Sequence, residues 1–177
     1  MNGQDSDRPV PGGYDPFYQS YIDRVPNQPI MEVLEEQRYE IMGFLGSLDK
    51  STAAHRYAPE KWTVKEVLGH LVDTERVFGT RALCFARKEV KPLPGFDQDD
   101  YVREGCFDRR SLSSLSHEFE AVRRSTENLF GGFDDAQWER SGVANDAQMS
   151  VRAVAFIVVG HAAHHMSVLR ERYLGDT

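Results

Sequence analysis

Three histidines in the last fifth of the chain have the residue type and spacing that can do chemistry. His161, His164 and His165 lie within residues 150–173, SVRAVAFIVVGHAAHHMSVLRERY, a run whose apolar residues recur at helical spacing. At about 100° per residue, His161 and His165 share one direction, whereas His164 points to their flank. Two neutral imidazoles so placed can give lone pairs to one metal ion. The same spacing also suits two hydrogen-bonded histidines at the edge of a core, and a third ligand would decide between the two interpretations.

A second helix that carries a histidine is predicted over residues 63–87. It begins with a capping box, in which the Thr63 hydroxyl and the Glu66 carboxylate satisfy free backbone amides. His70 lies at the margin of the apolar stripe, a position that suits a ligand facing a pocket or an ordinary boundary histidine. Glu75 projects inside the stripe, where a carboxylate needs a partner. The sequence leaves open a buried ion pair with an arginine of another helix or a catalytic role.

The remaining pattern predicts two more helices and a long connection. Apolar residues recur at helical spacing over 29–48 and 111–130. The connection 88–110 could extend about 75 Å, whereas a helix of 25 residues is about 37 Å long. It can therefore run the length of a bundle and make the second and third helices parallel. Residues 133–149 are predicted to form a loop or short turn, and strand signals are weak throughout. We expect an all-α, four-helix bundle whose core holds the site.

The levels of the histidines on their helices can be compared. His70 lies about 10 Å from the start of the second helix, and His165 and His161 lie about 12 and 18 Å from the end of the fourth. If these two helices are antiparallel, the three histidines reach a common level within about one turn. If the two helices are parallel, the levels of the histidines differ by little more than one helical turn, so the sequence does not exclude this arrangement.

The chain of 177 residues suits one domain, long enough to bury a core without disulfides. Residues 1–26 are rich in Gly, Pro and polar groups at first and then contain four aromatic residues, Tyr14, Phe17, Tyr18 and Tyr21. We expect a loose end followed by an arm that lies over the domain, which then spans residues 27–177. Contact with a second subunit would explain the aromatic residues equally well.

Composition disfavours several kinds of partner and location. A net charge of -7 and a pI near 5.4 make nucleic acid an unexpected partner, since binding to phosphates relies on a basic face. The first ten residues have no apolar signal segment, and Cys84 and Cys106 are isolated, so we expect a cytoplasmic protein. The apolar run 151–159 contains Arg152 and is too short to cross a membrane. A small-molecule substrate is the expected partner.

Three blocks of the sequence, in this order, resemble the DinB-like superfamily, damage-inducible proteins that share a name with a DNA polymerase but not its fold. The blocks are WTVKEVLGHLVDTERVFGTRALCFAR, LPGFDQDDY and GHAAHHMSVLRERY. The resemblance covers about residues 18–174 and implies a four-helix bundle with a long crossover, usually a homodimer. It also implies a divalent metal ion held by His70, His161 and His165. The scaffold is similar to that of S-transferases and isomerases that use mycothiol, bacillithiol or glutathione.

Three neutral imidazoles would leave a divalent ion its full charge and an open position, which lowers the pKa of bound water or thiol toward neutrality. Zinc, nickel, iron and manganese all fit, because such a ligand set selects weakly among them. Glu75 or Asp73 is expected to orient a ligand or accept a proton, and His164 to shuttle one. A zincin protease is disfavoured, since Ala162 stands where that motif needs glutamate.

The favoured interpretation is a thiol-dependent S-transferase or a hydrolase that acts on a small electrophile, in stress or detoxification. Its co-substrate would be a low-molecular-weight thiol. One alternative is a metal-binding stress-response module without turnover. Another is a helical dimer whose histidines are structural.

Overall fold

Four long helices form the body of the protein, which we describe from a computed structural model over residues 8–175. These helices are α2 (Ile30–Ser47), α4 (Val64–Ala86), α6 (Leu112–Gly131) and α8 (Val151–Val168), the last continued by a π-helical turn, Leu169–Leu174. The short helices are α1 (Gln19–Ile22), α3 (Lys50–Ala53), α5 (Gln98–Gly105) and α7 (Asp135–Trp138), with 3-10 turns at Pro16–Tyr18 and Phe107–Arg109. The predicted four-helix bundle is confirmed.

The predicted helix starts rest on the expected hydrogen bonds. The backbone N–H of Glu66 donates to the Thr63 hydroxyl at 3.1 Å, and the backbone N–H of Thr63 donates to Glu66 Oε2 at 2.7 Å. This capping box begins α4 and so sets the level of His70 in the bundle. Ser150 caps α8 in the same way, by accepting from the backbone N–H of Ala153 at 3.1 Å.

The crossover between α4 and α6 makes these two helices parallel, as predicted. Its last residues return to the start of α4, where Lys65 Nζ donates to the carbonyl oxygen of Arg110 at 3.3 Å. Helix α8 is antiparallel to α4, because the Tyr173 hydroxyl near its end donates to the carbonyl oxygen of Trp62, just before α4, at 2.6 Å. This direction brings His70 level with the histidines of α8.

Two segments contain more structure than the sequence predicted. The crossover contains α5, and residues 133–149, expected to be a loop or short turn, contain α7 and the hairpin of β1 (Ser141–Ala144) and β2 (Ala147–Ser150). Asn145 and Asp146 form the two-residue turn with φ of 53° and 58°, the left-handed conformation that such hairpins need. Strands of four residues are too short for an alternating pattern to reveal them.

The N-terminal arm is packed into the bundle from Tyr14 onward. Tyr14, Tyr18, Ile22 and Val25 are buried, and α1 lies against α8. Gly160 permits the approach, because a Cβ there would collide with the Tyr21 carbonyl group. Residues 1–7, within the predicted loose end, and residues 176–177 lie outside the described part of the chain. The boundary between arm and domain stays a prediction.

The core consists of two apolar clusters stacked along the bundle. Along α8, the apolar residues up to Val159 belong to one cluster and Ala162, Met166 and Leu169 to the other, and α4 is divided in the same way. Along their helices the buried Glu75 and His161 lie between the two clusters, and His70 lies beside the second. Among the described residues one helix, Val151–Leu174, is apolar and long enough to span a membrane by composition, and 67% of its most apolar window is buried within the protein.

Candidate metal centre

The three histidines predicted to be ligands converge in one cluster. One ring nitrogen from each of His70, His161 and His165 can be chosen so that all three lie within 4.8 Å of one another. The closest pair, His70 Nε2 and His161 Nε2, are 3.0 Å apart. Nitrogens that share one ion at about 2.1 Å lie roughly 3.0–3.4 Å apart. The donor set therefore fits a single divalent cation.

Burial keeps these rings neutral at neutral pH. His70 and His161 are buried, and His165 is half-buried. Loss of hydration lowers the pKa of His70 to about 4 and, together with the neighbouring His70 and His164, that of His165 to about 3. Burial and the three nearby histidines also place the pKa of His161 well below its usual value. Each ring is thus uncharged, the form in which histidine binds a metal.

Neighbouring side chains orient the rings and cover the cluster. The Thr74 hydroxyl oxygen lies 3.4 Å from His70 Nδ1, which leaves His70 Nε2 directed toward His161. The Trp62 ring lies on one side, with its centroid 4.9 Å from that of His70. Tyr21 covers the other side, with its ring centroid 5.5 Å from that of His161. These contacts fix which nitrogens face the shared centre, as second ligand shells commonly do.

His164, predicted to shuttle a proton, lies at the flank of the cluster. Its ring centroid is 5.1 Å from that of His165 and 5.7 Å from that of Tyr21. Partial burial, and then the positive charge of Arg24, lower the pKa of His164, and Glu171 opposes them. A neutral imidazole in this position can accept a proton, and the shuttle role stays a prediction.

Glu75, predicted as a catalytic residue, lies in the buried ion pair that the sequence left open. Arg123 Nε donates to Glu75 Oε1 at 2.8 Å, and Arg123 Nη2 donates to Glu75 Oε2 at 3.0 Å. Both carboxylate oxygens are bound to a cation from α6, so Glu75 is not free to serve as a base at the histidines. Asp73, the other carboxylate considered, pairs with Arg76 at 3.8 Å. The structure therefore favours a structural role for Glu75.

A cavity of about 220 Å³ adjoins the histidines. The N-terminal arm, α4, the crossover, the hairpin turn and α8 all contribute to its walls, and His70 and His161 lie at its surface. A larger hollow of about 550 Å³ lies near α3 and the start of α6, and none of the three clustered histidines lines it. The smaller cavity is the candidate site because two of the three candidate ligands, His70 and His161, lie at its surface.

Sequence reasoning missed four polar residues that line this cavity, Thr74, Arg81, Gln98 and Asn145. A signal for Arg81 was available: it follows His70 by 11 residues on one helix, and at 100° per residue its direction returns to within about 20° of that of His70. Asn145 had no such signal, because its position depends on the hairpin turn. The turn is tied to the crossover, where the backbone N–H of Asn145 donates to the carbonyl oxygen of Leu93 at 3.1 Å.

Comparison with known proteins agrees with this architecture. The family model described as the DinB superfamily matches residues 33–169, a segment that contains all three clustered histidines. The structure of YfiT from Bacillus subtilis, described as a probable metal-dependent hydrolase with an unusual four-helix bundle topology, matches with a TM-score of 0.71. The two chains are 19% identical, over 84% of this chain and 87% of the other, so the likeness shows the fold alone. No curated protein matches the chain. More than half of the chain fits the family model, and the protein therefore belongs to the DinB superfamily.

Proposed function

We propose that the protein is a metal-dependent enzyme, a thiol-dependent S-transferase or a hydrolase, that acts on a small electrophilic substrate. The observation that carries the proposal is the convergence of neutral His70, His161 and His165, with ligand atoms within 4.8 Å of one another, beside a cavity that His70 and His161 line. Family membership and the fold shared with YfiT, a probable metal-dependent hydrolase, support it. A low-molecular-weight thiol as co-substrate and a homodimer as the working unit belong to the same proposal.

A divalent ion on three neutral imidazoles keeps its charge and an open position, and so lowers the pKa of bound water or thiol. The residues of the chain do the rest. Thr74 holds the His70 ring, while Trp62 and Tyr21 restrict access of water from two sides. His164 is neutral at neutral pH and can accept the proton that a bound nucleophile releases. Zinc, nickel, iron and manganese remain candidates because imidazole ligands suit all of them.

The first test is the metal content of protein purified without an affinity tag or added metal, measured by plasma mass spectrometry. We expect near-stoichiometric metal in the wild type and its loss in His70→Ala, His161→Ala and His165→Ala. His117→Ala is the matched control, since His117 is exposed on α6 and lies outside the cluster. A wild type that stays metal-free after reconstitution with zinc, nickel, iron and manganese would overturn the proposal.

The second test separates the enzyme from a binding module. Metal-loaded protein is incubated with small electrophiles, with and without a low-molecular-weight thiol, and the products are measured by mass spectrometry. A transferase gives the thioether only when thiol is present, whereas a hydrolase turns over without it, and both activities disappear in His161→Ala. Retained metal with no product from any electrophile would favour a metal-binding stress-response module.

A further inference from the structure

Arg81 is a buried cation without an anionic partner in the described part of the chain. Its side chain is 3% exposed, and its Nε–H has no hydrogen-bond partner. The contacts it does make are neutral. Nη2 donates to the carbonyl oxygen of Pro94 at 3.1 Å, the guanidinium lies 4.8 Å from the centroid of the Phe78 ring, and the Tyr18 hydroxyl interacts with it. Burial raises the pKa of Tyr18, so this phenol remains uncharged at neutral pH.

This arrangement is unusual within the same protein. Arg123, 0% exposed, binds both carboxylate oxygens of Glu75 and also donates to Gln37 Oε1 at 2.9 Å. A buried cation is strongly destabilising unless an anion and hydrogen bonds compensate it. Arg81 has no such anion among the described residues. Burial lowers the pKa of Arg81, but its guanidinium is still charged at pH 7, because a guanidinium stays protonated in proteins. No anion among the described residues offsets its charge.

The cavity that Arg81 lines is the one beside His70 and His161. On α4 the Cα atoms of His70 and Arg81 are about 16 Å apart, at ~1.5 Å per residue. The Arg81 side chain leans toward the start of the helix, and so toward His70, as helical side chains do. The cavity thus has metal-ligating nitrogens near one end and an unpaired guanidinium near the other. Its volume of about 220 Å³ is below the roughly 300–1,000 Å³ of drug-sized sites, which suits a small ligand.

We infer that Arg81 binds a carboxylate of the substrate, and that the substrates of this site are small carboxylic acids whose reactive group lies at the histidines. A carboxylate matches the guanidinium of this cavity-lining arginine in charge and in planar geometry. Contacts with Phe78 and Pro94 already order the guanidinium, which lowers the entropic cost of binding. The part of this inference that concerns the reactive group rests on the proposed function, whereas binding of the carboxylate does not require the metal.

The test uses the full chain, labelled with ¹³C and ¹⁵N and free of metal, and follows the Arg81 Nε–H resonance by NMR. The resonance is assigned through the carbon signals of its own side chain, so the wild type alone suffices. The probes are straight-chain carboxylates from acetate to hexanoate and the corresponding uncharged amides. We expect a saturable downfield shift with carboxylates, an optimum at one chain length, and affinity at least tenfold weaker for the amide of that length.

Two variants complete the test. Arg81→Met keeps an unbranched side chain of similar bulk near the backbone without the charge and should abolish the preference for carboxylate. Arg124→Gln, which removes an exposed arginine paired with Glu120, should bind like the wild type. The inference is overturned if no carboxylate saturates the Arg81 resonance, if amides bind equally well, or if a folded Arg81→Met retains the preference.

The zinc-loaded protein distinguishes failure of this inference from failure of the proposed function. Mercaptocarboxylates should bind the loaded wild type more tightly than the parent carboxylates, because thiol and carboxylate then engage both ends of the cavity. If zinc does not bind, or adds nothing to mercaptocarboxylate affinity, the proposed metal site fails while carboxylate binding to metal-free protein still stands. If zinc binds but carboxylates are not preferred over amides, the carboxylate inference fails while the proposed metal site stands.

Discussion

Two groups of polar residues in the interior of the bundle differ in whether their interactions are complete. The first, Glu75, Arg123 and Gln37, is closed: both charges are paired, and Gln37 Nε2 donates to the carbonyl oxygen of Val159 at 2.9 Å. The second, the three histidines with Arg81, has converging ring nitrogens and a guanidinium with no anionic partner among residues 8–175. Because the bundle does neutralise the buried charge of Arg123, the open group is where we expect a ligand to bind.

The closed group connects the four long helices. Arg123 of α6 bonds Glu75 of α4 and Gln37 of α2, and Gln37 bonds the backbone of α8. Such a network fixes how far each helix slides along its neighbours, because a shift of one turn would leave a charge unpaired. It stands less than two turns of α4 from His70. The closed group therefore supports the alignment on which the open group depends.

The largest expected effect comes from breaking the closed group. Glu75→Gln leaves Arg123 buried without its carboxylate and should lower the free energy of unfolding by about 3–5 kcal/mol, measured by urea denaturation. The metal content of the folded fraction should stay unchanged. Glu120→Gln, which removes an ion pair with the exposed Arg124, should change stability by less than about 1 kcal/mol. A mild effect of Glu75→Gln together with loss of metal would instead assign Glu75 to the site.

The open group should make the metal-free protein sensitive to acid. The pKa of His70 is about 4 when folded, against an ordinary value of 6.5, so the unfolded chain binds more protons below pH 6.5. Stability present above pH 6.5 is therefore lost as the pH falls toward 4, with a contribution of about 3 kcal/mol from His70 alone.

Urea denaturation at several pH values measures this loss. His70→Gln should flatten the dependence between pH 6.5 and 4, whereas His117→Gln, at an exposed position, should not alter it. Equal slopes for the wild type and His70→Gln would contradict the buried, neutral state of this ring.

A smaller effect is expected where the arm covers the open group. In Gly160→Ala the new Cβ would collide with the Tyr21 carbonyl group and displace α1, at a cost of about 1–3 kcal/mol in unfolding free energy. Tyr21 would then leave its contacts with His161 and His164, so metal should dissociate faster.

Gly79→Ala is the matched control on α4, because nothing lies near its added Cβ. It should stabilise the protein by about 0.5–1 kcal/mol. Equal effects at both glycines would rule out the close contact.

Local sequence patterns were sufficient for the helices, their caps and the three histidines, because periodicity and i,i+4 spacing are properties of single helices. The sequence showed Glu75 as a carboxylate in an apolar stripe, but it did not show its partner. Arg123 lies 48 residues further along the chain, and its pairing with Glu75 depends on how α4 and α6 align. The hairpin was missed because four-residue strands carry little pattern. Arg81 aligned with His70 in the sequence, yet only the packed cavity reveals that its charge is unpaired.

The long crossover also has a consequence for folding kinetics. Because it makes α4 and α6 parallel, these two helices cannot form an antiparallel hairpin, and the bundle depends on contacts between distant residues. His70 and His161 are 91 residues apart, and Gln37 contacts Val159 across 122 residues. Chains with such separations fold more slowly than bundles with local connections. During synthesis, α2, α4 and α6 emerge before α8, so the cluster is completed only when α8 docks. A metal ion bound by all three histidines would therefore stabilise the last step of folding.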